Sequence, residues 1–105
     1  MMSEAINPQD IDPQDIQHKF ERWSALQSKL LQAQQDWREA EALLSEVQEY
    51  YLSPQWIQDR EADVTIKHSG EAHSIFSEDG IWNAMTEHQE QAITWMRLGL
   101  DAIDK

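Results

Sequence analysis

The sequence contains no cysteine, only three glycines and three prolines, and only eight basic residues against twenty acidic ones. Without cysteine the chain can form no disulfide, thiolate metal site or cysteine nucleophile, and this composition suits the cytoplasm. The three glycines form no phosphate-binding loop, and no serine stands in the context of a nucleophile elbow. We therefore expect a cytoplasmic protein that is not an enzyme and has no cofactor.

Long apolar runs are also missing, and basic residues are too few to form a basic surface. The formal net charge is −12 at pH 7, whereas nucleic acids and anionic membranes require basic side chains that displace counterions. No stretch approaches the length of a membrane span, and no basic segment followed by an apolar run opens the chain. The composition predicts a soluble chain with a basic protein partner, not nucleic acid or a membrane.

One long apolar row with heptad spacing is the main pattern that the sequence does contain. Residues that recur every seven positions fall on one side of a helix and must be covered. No glycine or proline interrupts residues 14–53, so the pattern predicts one helix over residues 13–52. The members of this apolar row are Ile16, Trp23, Leu30, Trp37, Leu44 and Tyr51.

Capping residues divide the chain into three predicted helices. Asp12 is a favourable N-cap residue, and it is followed by Pro13 at the first helical position. Ser53 and Pro54 repeat this combination before the second helix. Ser77 is predicted to cap the last helix. The pattern predicts an all-α fold in which a long helix, a short helix and an antiparallel third helix form a helical hairpin or three-helix bundle.

The remaining segments complete the predicted organisation. Residues 1–11 are interpreted as a flexible N-terminal arm, because they contain Pro8 and little apolar mass. Residues 12–105 are predicted to form a single helical domain. Within it the second helix is predicted over residues 54–63, and residues 64–76 are predicted to be a loop because they lack a sustained period.

The predicted helix lengths point to a second chain. At about 1.5 Å per residue the first helix spans roughly 60 Å and the third roughly 39 Å, so about a third of the first helix stays uncovered. A break near Gln32–Gln35 is one solution, but sharp kinks usually need glycine or proline. We favour a homodimer whose interface contains Ile16, Phe20 and Trp23.

The region from Glu39 to Asp63 has seven acidic residues and one basic residue. A run of like charge is most often a solvated helix face. It is alternatively a docking patch for a basic partner, because complementary charge speeds encounter and fixes register. A cation site would need converging oxygens that spacing along one helix does not provide. The predicted partner-binding residues are Glu46, Glu49, Trp56, Asp59, Glu61 and Asp63.

The five tryptophans and the loop histidines need separate interpretations. Trp56 is either a clamp at the turn between helices or an exposed aromatic anchor for a partner. His68 and His73 match no standard metal spacing, so we predict no metal site and expect solvent-exposed histidines. The other tryptophans lie at helical spacing and are predicted to be in the core; they are Trp23, Trp37, Trp82 and Trp95.

Two motifs carry a family resemblance. The first consists of Tyr50-Tyr51, Ser53, Trp56, Asp59 and Glu61-Ala62-Asp63, and the second is Ile75-Phe76-Ser77-Glu78-Asp79-Gly80-Ile81-Trp82. Together they resemble the signature of the bacterial family of domain of unknown function 4298. The sequence departs from that pattern over residues 65–74, which lack the leucine-proline and basic residues that the resemblance implies there, and at Gly80, where the family usually has alanine. The resemblance implies a small helical bacterial protein without an assigned activity.

Two classes of function remain open at this point. The leading hypothesis is a small acidic protein-interaction module, such as an inhibitor or immunity-type protein that occupies the active cleft of a basic bacterial partner. The alternative is a structural or assembly subunit that acts as a helical homodimer without inhibitory activity and whose charge serves solubility. Partner binding that weakens steeply with salt favours the first hypothesis, and salt-insensitive self-association favours the second.

Overall fold

The structure is a computed structural model that describes residues 10–104. Over this range the chain forms three α-helices and no strand: α1 (Pro13–Tyr51), α2 (Pro54–Glu61) and α3 (Glu78–Ile103). The all-α prediction and the order of a long, a short and a third helix are confirmed. The predicted N-terminal arm comprises residues 1–11. Of these, residues 1–9 lie outside the described part of the chain.

Side-chain caps begin α1 and α3, as predicted. The Oδ1 atom of Asp12 accepts a hydrogen bond from the backbone N–H of Gln14 at 3.0 Å. The Oγ atom of Ser77 accepts one from the N–H of Gly80 at 3.2 Å. Each bond satisfies a backbone donor that has no partner within its helix. Two acidic residues, Glu78 and Asp79, occupy the first turn of α3, where the helix dipole favours negative charge.

Ser53 is the N-cap residue of α2, as predicted, but its side chain forms no cap hydrogen bond to that helix. Its hydroxyl donates to the carbonyl oxygen of Tyr50 at 2.7 Å and so caps the end of α1 instead. Pro54 starts α2 without that bond, because its ring fixes φ near the helical value and it has no N–H to satisfy. The chain therefore passes from α1 to α2 through a tight turn at residues 52–53.

The chain divides into two compact units, Met1–Ala40 and Glu41–Lys105, and the division falls inside α1. The described part of the first unit is essentially helix, and α1 has no buried residue. Within it the rings of Phe20 and Trp23 stack with their centroids 6.0 Å apart. That residues 12–105 fold as a single domain stays a prediction.

The second unit contains a helical hairpin. The hydroxyl of Tyr51 donates to Oε1 of Glu78 at 3.5 Å, and Nε2 of His88 lies 2.6 Å from Oε1 of Glu41. The residue nearer the start of α1, Glu41, contacts the later residue of α3, His88. The residue at the end of α1, Tyr51, contacts the first residue of α3, Glu78. The end of α1 and the first half of α3 are therefore antiparallel, as predicted.

The core of the second unit is small and consists of one residue of α2 and one residue of α3. Among the described residues only Trp56 and Ile81 are buried, each with 5% of its surface exposed. The ring of Trp56 meets the ring of Tyr51 edge-on at 4.9 Å, and its Nε1 donates to the carbonyl oxygen of Ile75 at 3.0 Å. One indole thus joins α2 to the end of α1 and to the loop before α3.

Most of the tryptophans predicted to be in the core are exposed. Trp82 has 61% of its surface exposed, and Trp23 and Trp95 are also exposed. Trp82 directly follows the buried Ile81, so it points about 100° away from the core side of α3. Trp23 lies in a unit whose described residues offer no second helix to cover it. Trp37 is half-buried, so the prediction of a core position is wrong for three of the four.

Candidate functional site

The acidic residues predicted to bind a partner belong to the last turns of α1 and to α2. Glu46 and Glu49 are exposed on α1, three residues apart and therefore on neighbouring positions of one face. Asp59 and Glu61 belong to α2, and Asp63 follows it with a positive φ of 54°. Aspartate tolerates this left-handed conformation better than most residues, because its short side chain can bond locally. We call these five residues the acidic region.

A hydrogen bond between α1 and α2 joins the two parts of the acidic region. The hydroxyl of Tyr50 donates to Oδ2 of Asp59 at 2.6 Å, and Nε2 of Gln55 donates to the same oxygen at 3.2 Å. Tyr50 lies one helical turn after Glu46 on the same face of α1. The hydrogen bond to Asp59, partial burial and the negative charge of that carboxylate raise the pKa of Tyr50, because each disfavours the phenolate.

The other carboxylates of the acidic region are exposed and have no partner in the described part of the chain. Glu46, Glu49, Glu61 and Asp63 are exposed, and their side chains form no ion pair or hydrogen bond within residues 10–104. Over the same residues no group of three or more metal-binding side chains could hold a metal ion. Four carboxylates are thus available to cationic groups of another molecule.

Trp56, the sixth predicted partner-binding residue, is a clamp at the turn. Its ring is buried, and the guanidinium carbon of Arg60 lies 5.2 Å from the ring centroid. Arg60 also lies within 3.9 Å of Glu78, at the start of α3. The interpretation of Trp56 as an exposed aromatic anchor is therefore wrong, because the indole lacks the accessible surface that an anchor needs.

The residues predicted for a homodimer interface are all exposed. Ile16, Phe20 and Trp23 expose 46%, 59% and 53% of their surfaces. Apolar residues near the end of α3 are exposed as well, and the sequence did not predict a surface there. Their helical spacing resembled that of core residues, so no local signal distinguished them. They are Met96, Leu98, Leu100 and Ile103.

The net negative charge is unevenly distributed along the chain. Residues 13–40 contain four acidic and four basic residues, whereas residues 41–105 contain thirteen acidic and four basic residues. The exposed apolar side chains of the first unit therefore lie on a helix without net charge. The acidic region lies in a unit with a large excess of negative charge, which extends its field beyond the five residues themselves.

The hairpin, its tryptophan clamp and the acidic region define a small protein that is all-α over its described residues. The family model described as Domain of unknown function (DUF4298) matches residues 14–98, and the chain belongs to that family. This confirms the family to which the resemblance pointed. No curated protein and no solved structure matches the chain. Among residues 10–104 no helix has both the length and the apolar character needed to cross a membrane.

Proposed function

We propose that this protein is a small acidic protein-interaction module of the cytoplasm that binds a basic protein partner. Its role is binding and not catalysis. It acts as an inhibitor or immunity-type protein if the acidic region covers the partner's active cleft. The observation that supports this proposal most is the set of four exposed carboxylates, Glu46, Glu49, Glu61 and Asp63, which have no cation or hydrogen-bond donor within residues 10–104.

Contacts between the helices of the second unit position these carboxylates. The clamp at Trp56 and the bond between Tyr50 and Asp59 connect α2 to the end of α1. A preformed arrangement of charge loses less conformational entropy on binding than a flexible acidic tail does. The excess of acidic residues in the unit attracts a basic partner over a distance of about one Debye length, which increases the association rate.

The experiment compares the wild-type chain with a variant that combines Glu46→Gln, Glu49→Gln, Glu61→Gln and Asp63→Asn. Affinity capture from the source cells identifies the basic partner, and calorimetry with the purified partner gives the Kd. Exposed ion pairs contribute about 0.2 to 1 kcal/mol each, so we expect the four changes to weaken binding by about fourfold or more. Raising the salt from about 0.1 to about 1 M should remove most of this difference.

A matched control makes the same change of charge elsewhere in the second unit, at Glu71, Glu90, Asp101 and Asp104. These residues are exposed and have no side-chain partner within residues 10–104. We expect this control to weaken binding by less than about threefold, because it alters only the long-range field. If both variants lose affinity equally, or if binding does not respond to salt, the acidic region is not the docking site.

A second candidate function is a structural or assembly subunit that acts as a helical homodimer without inhibitory activity. The exposure of Ile16, Phe20 and Trp23 on a helix segment without net charge favours it. Two such segments can approach each other without the repulsion that two copies of the acidic region would experience. Exposed apolar patches of this kind commonly mark interfaces.

A further inference from the structure

A groove in the second unit lies between the last turns of α1, the loop over residues 62–77 and the first turns of α3. Its volume is about 730 Å³, which lies within the range of about 300 to 1,000 Å³ that small-molecule sites occupy. The groove has an apolar floor that both helices and the loop provide. The floor residues are Leu44, Val47, Ile75, Ile81 and Ala84.

The loop side of the groove carries cationic and titratable side chains. Lys67, His68 and His73 line it there, and Glu87 of α3 is the one carboxylate among the described residues of the lining. Lys67 forms no ion pair or hydrogen bond within residues 10–104. In a unit with thirteen acidic and four basic residues, the described lining has one lysine and one glutamate, so the groove is far less acidic than the rest of its unit.

Gly80 lets the loop reach this position. A Cβ atom at residue 80 would lie 2.6 Å from the Cβ of His73, closer than real Cβ atoms approach. The loop at His73 therefore packs directly against the backbone of the first turn of α3. This contact places His73 and Gly80 side by side in one wall of the groove.

We propose that the groove binds a small amphipathic carboxylate. The apolar chain of the ligand packs on the floor formed by α1 and α3, and its carboxylate lies at the loop side, where Lys67 donates a charge-assisted hydrogen bond. His73 adds an N–H donor at that end, whereas Nδ1 of His68 already donates to the carbonyl oxygen of Ser69 at 2.8 Å. This site is distinct from the acidic region, and its ligand has the opposite charge to the partner that the acidic region attracts.

An NMR titration of the full chain with octanoate tests the proposal. We expect saturable shifts of backbone amides around the groove, and weaker binding of hexanoate, since each methylene contributes a factor of up to about four. Octylamine, whose alkyl chain is one carbon longer and whose head is positive, should produce no saturable shifts there, although the net charge of −12 attracts cations in general. Equal or tighter binding of octylamine, or no saturation with octanoate, overturns the proposal.

Two variants with opposite expected effects test which side chains bind the carboxylate. Lys67→Gln should weaken octanoate binding by about tenfold, because it removes a hydrogen bond from a charged donor. Glu87→Gln should strengthen it, because it removes the one carboxylate among the described lining residues. Glu90→Gln, an exposed change of the same charge outside the lining, should leave it unchanged. An unaltered affinity in Lys67→Gln, or weaker binding in Glu87→Gln, contradicts the proposed orientation of the ligand.

Discussion

The indole of Trp56 contacts its surroundings in three different ways. Its edge meets Tyr51, its N–H donates to the carbonyl of Ile75, and its face lies beneath Arg60. These partners belong to the end of α1, the loop before α3 and α2 itself. Because the described residues include only one other buried side chain, that of Ile81, we expect Trp56 to contribute more to the stability of the second unit than any other aromatic residue there.

Replacing Trp56 with alanine should lower the free energy of unfolding by about 3 to 5 kcal/mol, as large-to-small core substitutions of tryptophan do. Urea denaturation followed by circular dichroism measures this loss. Trp82→Ala is the matched control, since the same atoms are removed from a side chain with 61% of its surface exposed. We expect the Trp82→Ala control to lower the free energy of unfolding by less than about 1 kcal/mol. Similar losses in the two variants would show that Trp56 is not the clamp of the turn.

At the scale of single residues, the sequence identified the acidic side chains but not their environment. The acidic run in the sequence places Asp59 in one group with Glu46 and Glu49. The structure separates them, because Asp59 accepts hydrogen bonds from Tyr50 and Gln55 while the two glutamates stay unpaired within residues 10–104. Tyr50 and Asp59 are on different helices, so the geometry of the turn between them decides whether they meet.

Helix α3 contains two glycines whose environments differ. Gly80 lies in the first turn against His73, where an added Cβ would clash with the Cβ of that residue. Gly99 lies near the other end of the helix, and an added Cβ would meet nothing within 4 Å. The same chemical change should therefore have opposite effects at the two positions.

Gly99→Ala should raise the free energy of unfolding by about 0.5 to 1 kcal/mol, because alanine loses less backbone entropy in a helix. Gly80→Ala should lower it by about 1 to 3 kcal/mol, because the loop at His73 must shift to accommodate the methyl group. Thermal or urea denaturation measures both changes. Combining Gly80→Ala with His73→Gly removes the clashing Cβ and should recover part of the loss. A stabilising Gly80→Ala would contradict the close packing of loop and helix.

The helix boundaries were largely predictable, because they depend on neighbours within one turn. The caps at Asp12 and Ser77 were predicted from residue type and position, and both form. At Ser53 the predicted cap position is correct, but its hydroxyl donates to the carbonyl oxygen of Tyr50 and makes no bond to the start of α2. A serine hydroxyl can donate as well as accept, and in this tight turn the carbonyl behind it is the partner that its hydroxyl meets.

The whole chain combines a charge-balanced helix segment with a strongly acidic unit. If Ile16, Phe20 and Trp23 form an interface between two copies, Trp23→Glu should convert a dimer into a monomer and leave most helicity intact, because an unpaired charge is not tolerated in an apolar interface. Analytical ultracentrifugation at tens of micromolar measures the mass, and circular dichroism measures the helicity.

Leu43→Glu is the control for this experiment. Leu43 is also an exposed apolar residue of α1, but it belongs to the second unit and not to the segment with the proposed interface. We expect this variant to stay dimeric. A wild-type chain that sediments as a monomer at the same concentration contradicts the homodimer, as does a Trp23→Glu variant that keeps the mass of the wild type.

The sequence by itself determined the helical class, the order of the three helices and the family, because these follow from apolar periodicity, capping residues and short motifs. It also determined that residues 41–105 carry most of the negative charge. Only the tertiary structure decided that Trp56 is buried while Trp82 is exposed, that Tyr50 holds Asp59, and that His73 packs on Gly80. These contacts join residues on different elements, and the conformations of the turn, the loop and the hairpin bring those elements together. Periodicity places a side chain on a face of its own helix, but the packing of other elements decides which faces are covered.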